Sequence, residues 1–226
     1  MMRKPFAILI SALCAALCGC GGGDAPTPHP TPAQAGADVI EFYGDSLTFG
    51  SIDGPAGTLT RLAVPPVRRA QELLGAAAVC VDLSLPGATV ADALAGVAMM
   101  PFGRFADHVK ATAARTLVIR YGGADALRYT PLAEFSRDLG ALVALAQAAG
   151  KRVLLVGVIE TPAADTSAYD LAVERTADAL GAGFVDVRAV PATLPDDLAD
   201  AVHPAQAWSD RLTAAIVRHL RHLLNP

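Results

Sequence analysis

Two short stretches far apart in the chain hold residue types suited to nucleophilic catalysis: Gly44-Asp45-Ser46-Leu47-Thr48 and Asp200-Ala201-Val202-His203-Pro204. A serine hydroxyl is a weak nucleophile until a base takes its proton, and an imidazole serves as that base when a third group fixes its tautomer. Ser46 offers the first part, His203 the second and Asp200 the third. The Asp-x-x-His spacing lets one loop present both side chains together. Gly122-Gly123-Ala124-Asp125 adds a glycine-rich stretch of the kind that brings backbone close to a reacting carbonyl. The same residues also have plainer readings. Ser46 can cap a helix, Asp200 can be an ordinary loop residue, and His203 a surface imidazole. Asp45 suits a role in fixing the turn around Ser46, and Asp125 a role as helix cap or loop anchor.

Elements of two kinds must position these residues. After residue 38, short runs rich in branched apolar residues alternate with longer helical patterns, which predicts an α/β domain with a parallel sheet. The strands are expected at Val39 to Tyr43, Val79 to Leu83, Thr116 to Tyr121, Arg152 to Ile159 and Phe184 to Val187. Helical spacing covers Val67 to Leu74, Val90 to Met99, Arg104 to Ala114, Leu132 to Ala149 and Tyr169 to Leu180. A last helix from about Ala205 to Leu224 places Leu212, Ile216, Leu220 and Leu223 on one face, which should cover the sheet. Ligands of open parallel sheets bind beyond the carboxyl ends of the strands, where the strand-to-helix loops meet. The stretches at Ser46, Gly87, Gly122 to Asp125 and Asp200 to His203 all fall at that edge. His108, His219 and His222 lie in helical patterns with cationic neighbours and are expected on solvated faces.

Ahead of this domain, Met1 to Gly19 has the layout of a secretory signal: Arg3 and Lys4, then an apolar run from Phe6 to Leu17 that is too short to span a bilayer. Leu17-Cys18-Gly19-Cys20 resembles a bacterial lipobox, so cleavage before Cys20 and lipidation of that cysteine are expected. The plain alternative is an ordinary signal peptide that leaves Cys20 as a thiol. Residues 20 to 37, dense in glycine and proline, read as a tether, with His29 a solvated linker residue. Residues 38–226 form the domain, placed in the cell envelope on a lipid anchor. With Cys14 and Cys18 removed and Cys20 acylated, Cys80 has no partner for a disulfide. The whole chain carries a formal charge of −4; without Arg3 and Lys4, 16 basic residues face 22 acidic ones, a charge of −6 that disfavours nucleic acid as a partner.

Across residues 38 to 224 the chain resembles the SGNH subgroup of the GDSL hydrolase family. Gly44-Asp45-Ser46-Leu47 is similar to the family's first block, Gly87 to its second, Gly122 to Asp125 to its third, and Asp200-x-x-His203-Pro204 to its fifth. The resemblance implies a three-layer, flavodoxin-like α/β fold with a mostly parallel five-stranded sheet between helices. It implies Ser46 as nucleophile, His203 as general base, Asp200 as the group that orients it, and the amides of Ser46 and Gly87 as oxyanion donors. The expected activity is hydrolysis of carboxylic esters through an acyl-enzyme on Ser46. Thioesters, lysophospholipids and acetylated glycans lie within the same substrate range.

One position departs from the pattern. The family's third block is Gly-x-Asn-Asp, with the asparagine side chain as a further oxyanion donor, and Ala124 stands at that place. Asn225 is the only asparagine in the chain, so a shifted alignment cannot restore it. Thr48, Ser84, Thr89, Arg120 or a water are the stand-ins that the sequence offers. Losing one such donor costs about a hundredfold to a thousandfold in turnover. Two expectations follow: an esterase slowed by the missing donor or, as the alternative, a protein of the same fold that binds an envelope glycan or lipid without turning it over. No metal-ligand cluster and no phosphate loop are present in the sequence pattern, so no cofactor is expected.

Overall fold

The computed structural model describes residues 37–97, 99–191 and 196–224. The expected signal segment, Cys20 and nearly all of the tether lie outside the described residues.

The core begins with β1 (Asp38–Gly44), whose residues from Ile40 onward are buried, as a strand covered on both faces must be. β4 (Ala78–Asp82) pairs with it on one side and β5 (Thr116–Arg120) on the other. β6 (Arg152–Val156) and β7 (Gly183–Val185) follow outward, giving a five-stranded, all-parallel sheet in the order β4-β1-β5-β6-β7. This is the flavodoxin-like order, in which the chain reverses its winding direction between the first and third strands of the sheet. A crevice opens where adjacent crossovers leave to opposite faces. In this chain that place lies at the ends of β1 and β5.

Helices cover both faces. α3 (Val90–Ala95), α4 (Phe105–Ala111), α6 (Leu132–Ala148) and α7 (Ser167–Leu180) enclose a cluster with Phe105, Leu117, Ile119, Phe135 and Leu142 at its centre. α2 (Pro66–Leu74) and α8 (Gln206–Leu224) close the other face over Ile40, Phe42, Val118, Leu154 and Trp208. On α8, Leu212, Ile216 and Leu220 are buried and Leu223 packs at the margin, the stripe its spacing predicts. Among the described residues no helix is long and apolar enough to cross a membrane.

Several boundaries move. α3 stops at Ala95 because Gly96 takes a left-handed conformation, and β6 ends at Val156, short of the apolar residues Val158 and Ile159 that continue its run. Two short helices are additional, α1 (Ser46–Phe49) and α5 (Gly123–Leu127), together with a hairpin of β2 (Ser51–Asp53) and β3 (Leu59–Arg61). His108 is not the solvated residue its neighbours suggested. Its Nε2 lies 3.1 Å from Glu41 Oε2, and Glu41 also accepts from Thr112 and Tyr43. Burial would raise the Glu41 carboxyl, but the bonds from His108, Thr112 and Tyr43 outweigh it and hold the group low. His219 and His222 are exposed, as expected.

Gly44 marks the narrowest point of the frame. A Cβ built there would stand 2.1 Å from Thr48 Oγ1 and 2.4 Å from the Arg120 carbonyl oxygen, so the strand can turn into α1 only without a side chain. Gly44→Ala is therefore expected to destabilise the domain by about 3 kcal/mol or more, as overpacking against backbone does. A fall in the urea midpoint with an unchanged slope would register it; a variant as stable as the parent would refute the clash.

Candidate active site

The turn after β1 is built by Asp45. Its backbone is extended, its carboxylate Oδ1 accepts from Leu47 N at 2.9 Å, and it caps α1. Ser46 is thus the first residue inside the helix, not the cap. Its own amide has no intrahelical acceptor, as holds for any residue at that position. Asp45 Oδ2 reaches across and accepts from Ala124 N at 3.0 Å, joining the turn after β1 to the start of α5. The carboxylate is fully buried. Burial pushes its pKa up, opposed by the two amides and by the charges of Arg120 and His203.

The base arrives from the other end of the chain. Residues 197–205 form a loop closed by Ala199 N donating to His203 O at 2.8 Å and Ala205 N to Asp197 O at 2.8 Å. Within it, Asp200 Oδ1 accepts from the amides of Val202 and His203, both at 2.8 Å. The His203 ring then sits with Nδ1 2.9 Å from Asp200 Oδ2 and Nε2 3.1 Å from Ser46 Oγ. With Nδ1–H donated to the carboxylate, Nε2 is left as the acceptor for the serine proton. Burial would raise the Asp200 carboxyl, yet the amides of Val202, Asp53 and His203 and the His203 side chain together hold it below the usual aspartate range.

The Asp53 amide, donating to Asp200 Oδ2 at 2.8 Å, belongs to the β2–β3 hairpin. That hairpin is itself pinned: Leu62 N donates to Gly50 O at 2.8 Å, and the Arg61 guanidinium stacks on Phe49 and pairs with Asp82. No side-chain pattern marks this support, because the donor is backbone and each strand has three residues. Donor atoms of Asp53, Asp200 and His203 lie within 4.8 Å of one another, a spacing a metal could use. The oxygens of Asp200 are already taken up by three amides and the imidazole, which suits the orienting role better.

The loop after β4 brings Gly87 to the same edge. Leu85 N donates to Gly44 O at 2.9 Å, extending the pairing of β4 with β1, and Ala88 N donates back to Leu85 O at 3.0 Å. Pro86 and Gly87 occupy the middle of that turn. Gly87 has φ +76, which the third position of a type II turn requires and which only glycine adopts without cost. Ala124 is buried near the start of α5 and carries no side-chain donor.

Of the side chains that sequence reading offers as substitutes, Ser84 and Thr89 have work elsewhere. Ser84 Oγ donates to Asp82 and Thr89 Oγ1 accepts from Asp92 N in the capping box of α3, whereas Thr48 Oγ1 is buried beside Gly44 with no hydrogen-bond partner among the described residues. Arg120 lies buried beneath α1, donating Nη1–H to Leu47 O at 3.0 Å; burial brings its pKa down to about 10 against the pull of Asp45. Asp125 is buried as well and anchors α3 by accepting from Val90 N at 3.4 Å. Burial and the neighbouring charge of Asp45 push its pKa up to about 7.

Two cavities open along this edge. One of about 520 Å³ has Ala126, Tyr129, Pro162, Ala163 and Tyr169 among its walls, and Ala163 N donates to Ala201 O at 3.2 Å, beside the His203 loop. The other, about 390 Å³, lies between Val158, Asp170, Arg188 and Trp208.

The solved structures on which this fold superposes include esterases and a lipase/acylhydrolase. The structure superposes on an aryl esterase of M. smegmatis at 19% identity and a TM-score of 0.66, covering 83% of this chain and 100% of that one. Est24, described as a carbohydrate acetylesterase from Sinorhizobium meliloti, matches at 18% identity and 0.66, over 82% of this chain and 99% of its own. A lipase/acylhydrolase from Enterococcus faecalis matches at 20% and 0.64, over 84% and 98%. At these identities the likeness establishes the fold. No curated protein matches the sequence. The family model described as GDSL-like lipase/acylhydrolase matches residues 42–210, from the strand that delivers Ser46 to the helix beyond His203. The chain therefore belongs to the GDSL-like lipase/acylhydrolase family.

Proposed function

We propose that this protein is a serine esterase in which Ser46, His203 and Asp200 act as a catalytic triad. The observation that carries the reading is the continuous hydrogen-bonded line from Ser46 Oγ through both ring nitrogens of His203 to Asp200. In the proposed reaction His203 Nε2 takes the Ser46 proton as Oγ attacks the ester carbonyl carbon. The imidazolium is stabilised by Asp200, which stays ionised. Charge developing on the carbonyl oxygen is met by the amides of Ser46 and Gly87. Collapse of the tetrahedral intermediate expels the alcohol, which takes the proton from His203, and leaves an ester on Ser46. Water activated by the same imidazole then releases the acid.

The cavity beside Tyr129 and Pro162 is the proposed place for one half of the substrate. Its walls are partly aromatic and aliphatic, with Glu160 and Asp165 among them and no Lys or Arg, so an uncharged aliphatic or aryl group suits it better than an anionic one. The missing side-chain donor at Ala124 fits slow turnover. It equally motivates the reading of a binding protein, which the absence of any hydrolysis would favour. Export on a lipid attached to Cys20 is part of the proposal and rests on the Leu-Cys-Gly-Cys stretch at residues 17–20.

A fluorophosphonate probe should label the protein on Ser46, and Ser46→Ala should abolish both labelling and short-chain aryl ester hydrolysis; labelling that survives this substitution removes Ser46 as nucleophile. Asp200→Asn is expected to lower kcat on the order of a thousandfold or more by freeing the wrong tautomer. Because the folded pKa of Asp200 lies below its unfolded value, its ionised form contributes stability above about pH 4 that is lost as pH falls through the folded value. The stability gap between the parent and Asp200→Asn, measured by urea unfolding across pH, should narrow below that point; a constant gap would contradict it. Metabolic labelling with a fatty acid in a bacterial host should mark the full chain and disappear in Cys20→Ser, whereas label retained in that variant would place the lipid elsewhere.

A further inference from the structure

We propose that the guanidinium of Arg128 takes the place of the absent side-chain donor and hydrogen-bonds the oxyanion through Nη2. The proposal rests on the esterase reading, with Ser46 as nucleophile and the Gly87 amide as a donor.

Helix geometry leads to Arg128. It follows α5 directly, its amide donating to Ala124 O at 3.0 Å, so the two residues lie one turn apart on the same side of the helix. Long side chains in such positions lean back toward the helix N-terminus. A long residue at 128 can therefore cover the ground that a residue at 124 would face. The coordinates place its tip beside Gly87: leaving aside the chain neighbours, a Cβ built on Gly87 would meet a single described heavy atom within 4 Å, Arg128 Nη2 at 3.7 Å. The space above Gly87 is otherwise open for a substrate.

The guanidinium is held, not merely near. Nη1 donates to Asp92 Oδ2 at 3.2 Å, and Asp92 is fixed in turn by its capping box with Thr89, two residues after Gly87. The first turn of α3, which follows the Gly87 loop directly, thus carries the carboxylate that holds Arg128 beside that loop. Asp92 occupies one arm of the fork, and the other arm is directed at Gly87. A guanidinium suits this division because its donors are spread across a rigid plane, so one arm can be tethered while another meets an oxygen. With 57% of its side chain exposed, Arg128 remains reachable by a bound ester. Solvent around it weakens the cation, so its effect should fall below that of a buried donor.

The test compares Arg128→Gln, Arg128→Lys and Ala124→Asn, singly and with Ala124→Asn added to Arg128→Gln, by steady-state hydrolysis of an uncharged aryl ester. Arg128→Gln should lower kcat by about tenfold to a hundredfold with KM little changed. Arg128→Lys, which keeps the charge and loses the fork, should fall between it and the parent and serves if the glutamine variant folds poorly. Ala124→Asn should raise kcat more in the Arg128→Gln background than in the parent, because both groups serve one oxygen. A parent that hydrolyses while Arg128→Gln matches its kcat would overturn the inference and leave the esterase reading intact. An effect confined to KM would also overturn it, making Arg128 a binding contact and not an oxyanion donor. A parent that neither hydrolyses nor labels on Ser46 would overturn both.

Discussion

A single buried carboxylate holds the catalytic edge together. Asp45 has no solvent contact, and a carboxylate placed so deeply persists only where its acceptor capacity is used. One oxygen caps α1 and the other takes the amide of Ala124, so the turn that presents Ser46 and the helix that begins beyond β5 are tied to the same side chain. Arg120 supplies the opposing charge from beneath and holds the carbonyl of Leu47. The spatial relation between Ser46 and the stretch from Gly122 to Asp125 is fixed by these bonds, and the loop bearing Gly87 joins through the carbonyl of Gly44.

From this arrangement the division of labour follows. The sheet supplies rigidity and direction, bringing β1 and β5 side by side so that their following loops diverge around a crevice. Backbone groups then do most of the aiming. Three amides hold Asp200, and one of them comes from a hairpin that contacts the site for no other evident reason than to complete that set. Ser84, Thr89 and Asp125 are spent on holding loops, while Arg128, tethered through Nη1 to Asp92, keeps Nη2 beside Gly87.

The framework was readable in the chain because its signals are long and periodic. The central strands β1, β5 and β6, and helices such as α6 and α8, carry apolar patterns over enough residues to be distinguished. Ser46, Asp200 and His203 were readable as residue types at a telling spacing, and the coordinates bring them within hydrogen-bonding reach. What stayed hidden has physical reasons. α1 and α5, of four and five residues, are shorter than two helical turns and leave no period to detect. The amide of Asp53 has no side-chain signature. His108 looked solvated from its neighbours in the chain, whereas its partner Glu41 lies 67 positions away on a strand. Nothing in the sequence singles out Arg128, because the turn at Gly87 comes beside it only in the fold.

His203 Nε2 and Ser46 Oγ are separated by 157 residues of sequence. Their meeting is a non-local contact of the kind that forms late, after the intervening strands and helices have been paired and packed. A chain emerging from the ribosome carries Ser46 from early on but acquires His203 only near completion. Until the C-terminal helix docks, Ser46 is an ordinary hydroxyl. The hydrogen-bonded line from Ser46 through His203 to Asp200 is thereby coupled to finished folding.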